Sequence, residues 1–183
     1  NKFDAHLLKT IVEKMQQYRL SVMTMSYLQK GESEVHNTPI QWSTFGAGSS
    51  VIDSDFARGI RFDMALEHGY GEDADFGMQL RNKGADIIYF PNVKIMHLKA
   101  PIGGFRTAFK HPWMASEIQP KPSPTVMLYR KNNLTPCQLL GYKTKLFIKF
   151  YKAQEIKNPM KYLKRFNMQW NTSLFWANKL TQL

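Results

Sequence analysis

The 183 residues, 43% of them hydrophobic, can bury one sizeable core and leave little room for two full-size domains. A single cysteine, Cys137, excludes an internal disulfide framework and a cysteine-based zinc cluster, so a reducing cytoplasm is the expected compartment. The net charge of +11 is unevenly placed: residues 1–100 hold 11 Lys/Arg against 12 Asp/Glu, whereas residues 101–183 hold 14 against 2. Acid is gathered upstream, and a basic surface suited to an anionic neighbour or to plain solvation lies downstream.

In chain order, Asp4 is placed to cap a helix reaching Tyr18, because Leu7, Leu8, Ile11, Val12 and Met15 recur at helical spacing. Residues 21–28, SVMTMSYL, alternate as a strand does, and residues 29–48 read as a long loop ending in GAGSS. SVID predicts a short strand, with Asp53 or Ser54 capping a brief helix toward Gly59. A helix is expected over Glu72–Lys83, stopped by Gly84, and after it two short strands, DIIYF and VKIMHL, broken by Pro91 and Asn92. The stretch 99–124 is rich in Gly and Pro and too irregular for a regular element. Two helices, from about Pro136 to Gln154 and from Met160 to Leu180, end the chain, and the mixture of elements predicts an α/β fold.

The chemistry is concentrated in GYGEDADFGMQLRNKG, residues 69–84. On a helix beginning near Glu72, Asp73 shares a face with Phe76, Gly77 and Leu80, while Asp75, Gln79 and Asn82 are expected to face solvent. A carboxylate at the edge of a core loses hydration, which raises its proton affinity and suits a general base. Acids also favour the first turn of a helix for its dipole and its unpaired N–H groups, so a purely structural role stays open. The Asp53-x-Asp55 pair reads as helix capping rather than metal binding.

FDMALEHGYGEDADFGMQLRNKGADIIYFPNVKIMHL resembles the C-terminal half of a family 2 glycosyltransferase domain. The resembling features are a Phe-Asp pair, Gly-Glu-Asp at a helix start, an Arg on that helix, a Gly stop, a strand with Tyr and Pro, and a closing His, dense from about Phe45 to Arg106. The resemblance implies an incomplete GT-A fold, a mixed sheet with flanking helices over 1–112, followed by a basic, aromatic helical extension over 113–183. It implies inverting transfer of a sugar from a nucleotide-sugar donor to the hydroxyl of a saccharide or lipid-linked acceptor, in polysaccharide or glycoconjugate synthesis. Asp73 would be the base with Glu72 in support, and Gly71 and Asp75 would lie against substrate. His97 would help hold a divalent metal, Mn²⁺ or Mg²⁺, on the donor diphosphate, although a lone His at a strand end is commonly structural. Gly103 and Gly104 would hinge a lid carrying Arg106 to the diphosphate, with an ordinary glycine turn as the alternative. Only 68 residues precede Gly69, fewer than the donor-binding half of such an enzyme needs, so the chain is expected to be a C-terminal portion and inactive alone.

The last two helices combine lysines with aromatic residues. Lys161, Lys164 and Arg165 precede Phe166, Trp170, Phe175 and Trp176, a mixture able to sit at a lipid headgroup boundary, which places the protein peripherally at the inner face of the membrane. A core-packed apolar stripe with solvated lysines is the competing expectation. A non-catalytic scaffold domain is the alternative to an enzyme. A nucleic-acid-binding module is disfavoured, since no binding motif accompanies the basic half and the acidic half repels phosphate.

Overall fold

The computed structural model describes residues 2–98 and 109–181. The chain forms mixed α/β structure in two units, one of Asn1–Phe62 with Asp73–Thr107, the other of Asp63–Glu72 with Ala108–Leu183.

The first unit is built on a mixed sheet. Strands β1 (Lys2–Phe3), β2 (Val22–Leu28), β4 (Ser50–Ile52) and β5 (Ile87–Met96) lie in the order β1-β5-β2-β4, and β3 (Ile40–Gln41) also pairs with β5. Among the described residues β2 and β5 run parallel and the other pairings are antiparallel. Along β2 alternate side chains serve two cores. Met23 and Met25 meet Leu7 and Ile11 of helix α1 (Leu7–Tyr18), whereas Val22 joins Phe45, Phe76, Leu80 and Ile87. With both faces covered, even Thr24 and Ser26 are buried, and Thr24 Oγ1 donates to the Ser49 carbonyl at 3.3 Å. The alternation of apolar and hydroxyl residues in β2 therefore marks two different buried faces rather than one wet and one dry.

Several local expectations are corrected. Asp4 does not cap α1; His6 is the N-cap, and Asp4 Oδ1 accepts from the His6 N–H at 2.7 Å just ahead of the helix. DIIYF and VKIMHL are one strand, not two. Pro91 has no N–H to give the ladder, and the register absorbs it: Phe90 pairs with Met25 and Lys94 with the next residue, Ser26, so Pro91–Val93 bulge without ending β5. The short β1 and β3 carry too few residues to show periodicity.

Helix α2 (Ser54–Ala57) starts at Asp53, whose Oδ1 accepts from the Asp55 N–H at 2.8 Å, in keeping with the capping expectation. Helix α3 (Glu72–Asn82) buries Phe76, Gly77 and Leu80 and stops before Gly84, which has φ of +90°. Phe76 contacts Phe45 and Phe62, with ring centroids 4.8 and 4.5 Å away. A Cβ on Gly77 would sit 3.0 Å from the Phe45 backbone nitrogen and 3.1 Å from Ile87 Cδ1, so glycine sets how near α3 comes to the chain beneath it.

The second unit is helical. A 3₁₀ turn at Met64–Leu66 and another at Pro112–Ala115 accompany α4 (Pro124–Asn133), α5 (Pro136–Ala153) and α6 (Pro159–Leu180). The helices expected from about Pro136 to Gln154 and from Met160 to Leu180 agree with α5 and α6 nearly to the residue, and the structure shows what starts them: Pro at the first turn of each, a Thr135/Gln138 capping box, and Asn158 accepting from the Lys161 N–H at 3.0 Å. No such expectation covers α4, hidden behind the prolines of the preceding stretch. Tyr162, Phe166, Gln169, Trp170, Ser173 and Ala177 form the buried stripe of α6, meeting Met127 and Leu128 of α4, Leu146 of α5 and Leu66. Leu66 explains why Asp63–Glu72 belongs here rather than with the segment that precedes it in sequence. The Tyr70 N–H donates to Thr125 Oγ1 at 3.1 Å, and Gly69 lies so near Thr125 that a Cβ would approach its Cγ2 to 2.4 Å.

Two glycines give opposite expectations in hydrogen exchange. Gly141→Ala, in α5 where a Cβ meets nothing within 4 Å, should slow opening of α5 amides by up to about 1 kcal/mol. Gly77→Ala should speed opening of α3 amides despite alanine's better helix propensity; slower exchange there would dismiss the close-approach argument.

Candidate active site

The first turn of α3 holds Glu72, Asp73 and Asp75, where the helix dipole favours negative charge. Asp73 is half-buried on the flank next to Phe76 and Gly77, as its spacing predicts, and Glu72 is exposed. Asp75 departs from expectation. It is half-buried and accepts from Gln79 Nε2 at 2.8 Å, while the same amide donates to the Arg61 carbonyl at 3.0 Å. The i, i+4 amide thus ties Asp75 back to the chain ahead of the helix. Gly71 has φ of +125°, a conformation that L side chains rarely adopt, and a Cβ there would lie 3.4 Å from Tyr129 Cβ. Arg81, which the resemblance places on this helix, is occupied structurally: its guanidinium donates to the carbonyls of Ser43, at 3.0 Å, and Trp42.

His97 follows the last residue of β5. Its N–H donates to the Leu28 carbonyl at 2.9 Å, and its half-buried ring lies on Tyr27, centroids 4.4 Å apart. Among the described residues no three His, Cys, Asp or Glu side chains gather as metal ligands. Gly103, Gly104 and Arg106 lie outside the described residues.

The structure adds a cleft that the sequence did not announce. Tyr27, whose ring meets that of His97 at a tilt, lines a space of about 300 Å³ together with Glu34, His36, Trp42 and Tyr89. Trp42 stacks on Tyr89 with centroids 4.7 Å apart, and the His36 ring stands edge-on to both. Glu34 accepts from the Tyr89 hydroxyl and from the N–H groups of Val35 at 2.9 Å and His36 at 3.0 Å. Burial alone would raise the Glu34 pKa, but hydrogen bonds from Ser26, Tyr89, His36 and Val35 prevail and hold it at about 2. Burial and the Glu34 carboxylate together push the Tyr89 hydroxyl upward. The result is a fixed anion beside aromatic faces, equipped to accept hydrogen bonds and to stack a flat or apolar surface. Its residues come from a loop and from β2, β3's neighbour Trp42 and β5, and no short-range spacing links them.

The aromatic extension is also resolved residue by residue. Phe166 and Trp170 are core residues of the second unit and are not available to a membrane, whereas Phe175 is 52% exposed and Trp176 half-buried. Among the described residues no helix is long and apolar enough to cross a membrane. No family model, no curated protein and no solved structure matches the chain.

The Glu34 arrangement has a pH signature. Its folded pKa of about 2 lies below the ordinary 4.5, so its contribution to stability is present above pH 4.5 and lost as pH falls toward 2. Tyr89→Phe should raise the Glu34 pKa and flatten this acid limb, followed by the NMR titration of the Glu34 carboxyl carbon and urea midpoints across that window. An unchanged titration would remove Tyr89 as a cause.

Proposed function

We propose that the chain is the acceptor-side portion of an inverting glycosyltransferase of GT-A type, with Asp73 as the general base. The observation that carries this reading is the placement of the acid pair: Glu72 and Asp73 open α3 over the buried face Phe76–Gly77–Leu80, and the glycine stop leads into β5, parallel to β2 and followed by His97. These are the features on which the family resemblance rests. In the reaction, Asp73 takes the proton of the acceptor hydroxyl as that oxygen bonds to the anomeric carbon. The bond from that carbon to the donor phosphate oxygen breaks, and the electron pair leaves with the nucleoside diphosphate. Attack from the opposite face inverts the centre, and no covalent enzyme intermediate is formed. Glu72, adjacent in sequence, is the supporting carboxylate, since a like charge nearby raises the proton affinity of the base.

The cleft beside Tyr27 and His97 fits the acceptor. A saccharide presents apolar C–H faces, which the Trp42 and Tyr89 rings can stack, and hydroxyl donors, which the fixed Glu34 carboxylate can receive. The divalent metal implied by the resemblance would need donors beyond His97; the base chemistry of Asp73 does not depend on it.

In the natural protein that carries this chain, Asp73→Asn should lower transfer by at least about 100-fold while donor affinity is kept, measured by steady-state turnover and equilibrium donor binding. Turnover within a few fold of the parent would remove Asp73 from the chemistry and leave the interaction-domain alternative as the better reading.

A further inference from the structure

The second unit contains a cleft that the transferase reading does not use. About 480 Å³ in volume, it lies along α4 and α5 and is lined by Arg130, Gln138, Gly141, Tyr142, Lys145 and Lys149, with two leucines. Among the described residues three cations face this space and no carboxylate lines it. Among the described residues the ion pairs are Lys9–Glu13, Arg58–Asp55 and His68–Glu67, so none neutralises these three.

Arg130 is the decisive residue. Its guanidinium carbon lies 4.9 Å from the Tyr142 ring centre and 5.4 Å from that of Tyr129, which restricts the orientation of the group before any ligand arrives. Its Nε is buried and has no hydrogen-bond partner among the described residues, while the guanidinium also donates a hydrogen bond to the Tyr142 hydroxyl. A buried N–H of a charged group left unpaired is costly, and an incoming acceptor would relieve that cost. Burial raises the Tyr142 hydroxyl's pKa, and the Arg130 charge beside it works in the opposite direction, as expected of a cation held close. At Gly141 a Cβ would meet nothing within 4 Å, so the cleft is open where the backbone of α5 lines it.

We propose that this cleft binds the phosphate group of an anionic ligand. A phosphate monoester offers three charged or strongly accepting oxygens, matching one oriented guanidinium and two mobile ammonium groups on successive turns of α5; Gln138 and the Tyr142 hydroxyl add neutral donors. The same chemistry is presented by a soluble phosphate ester and by a phospholipid headgroup. The proposal is independent of sugar transfer and of the residues of α3.

The test uses the whole 183-residue chain. Titration with inorganic phosphate should give saturable binding, with a shift of the Arg130 Nε–H resonance, and Arg130→Gln should weaken it about tenfold or more. The exposed pair Lys145→Gln/Lys149→Gln should weaken it comparably, and carries the test if the Arg130 variant fails to fold. Lys161→Gln, on α6, is the charge control and should leave affinity within about twofold. Flotation with phosphatidylcholine vesicles, with and without phosphatidylglycerol, separates the two sources. Retention on phosphatidylglycerol that the Lys145/Lys149 pair loses identifies a headgroup ligand; phosphate binding without such retention identifies a soluble ester. Absence of a saturable phosphate response, or an equal loss in Lys161→Gln, overturns the proposal.

Discussion

The parallel pairing of β2 with β5 is the constraint on which the first unit depends. Two parallel strands cannot be joined by a tight turn, so the chain between Leu28 and Ile87 must leave the sheet and return. That excursion contributes β3, β4, α2 and α3, and it brings Glu34 and Trp42 to the strands that carry Tyr27 and Tyr89. Both faces of the pair are covered, by α1 on one side and by α3 with the Phe45 segment on the other. Each fully buried aliphatic side chain here, such as Val22 or Ile87, contributes about 1.5–3 kcal/mol through removal of apolar surface from water.

Close approach, rather than additional hydrophobic bulk, positions the segment with the acids. Gly77 lets α3 descend onto Phe45, Gly69 lets its strand of chain lie on Thr125, and Gly71 supplies the backbone angle just ahead of the helix. Glycine at these points has opposite meanings in energy. It costs chain entropy on folding and removes a steric barrier in the folded state, and the second effect dominates at Gly77, where the Phe45 backbone nitrogen lies 3.0 Å from the missing Cβ, and at Gly69, where Thr125 Cγ2 lies 2.4 Å from it.

The charge asymmetry of the sequence maps onto the helical unit with a division of labour inside each helix. Aromatic residues that looked free to meet a lipid, Phe166 and Trp170, are spent on the core of α4, α5 and α6. Lys145, Lys149, Lys152, Lys161 and Lys164 remain exposed, Lys143 lies half-buried over Trp170, and Arg130, drawn inward against Tyr129 and Tyr142, is neither core nor solvent. A basic helix is thus a mixture of snorkelling stems and one oriented guanidinium, and only the latter can impose geometry on an anion.

Much of the local structure was legible from residue order alone, because caps, prolines, glycine stops and 3.6-residue spacing act within a few positions. The start of α5 near Pro136, Asp53 ahead of α2 and the face of α3 that carries Asp73 follow from such short-range rules, and the Thr135/Gln138 box and the Asn158 cap found in the structure obey the same rules. The sequence by itself determined α1, α2, α3, α5 and α6 and the acids at the start of α3, but not α4. Tertiary structure alone decided that Pro91 would be absorbed as a bulge, that Asp63–Glu72 would join the helical unit, that Asp75 would turn to Gln79, and that Glu34, Trp42 and Tyr89 would meet. The physical reason is range: capping and periodicity are fixed by neighbours in the chain, whereas a bulge, a discontinuous unit and an aromatic cleft are fixed by partners dozens of residues away, whose burial outweighs the local preference.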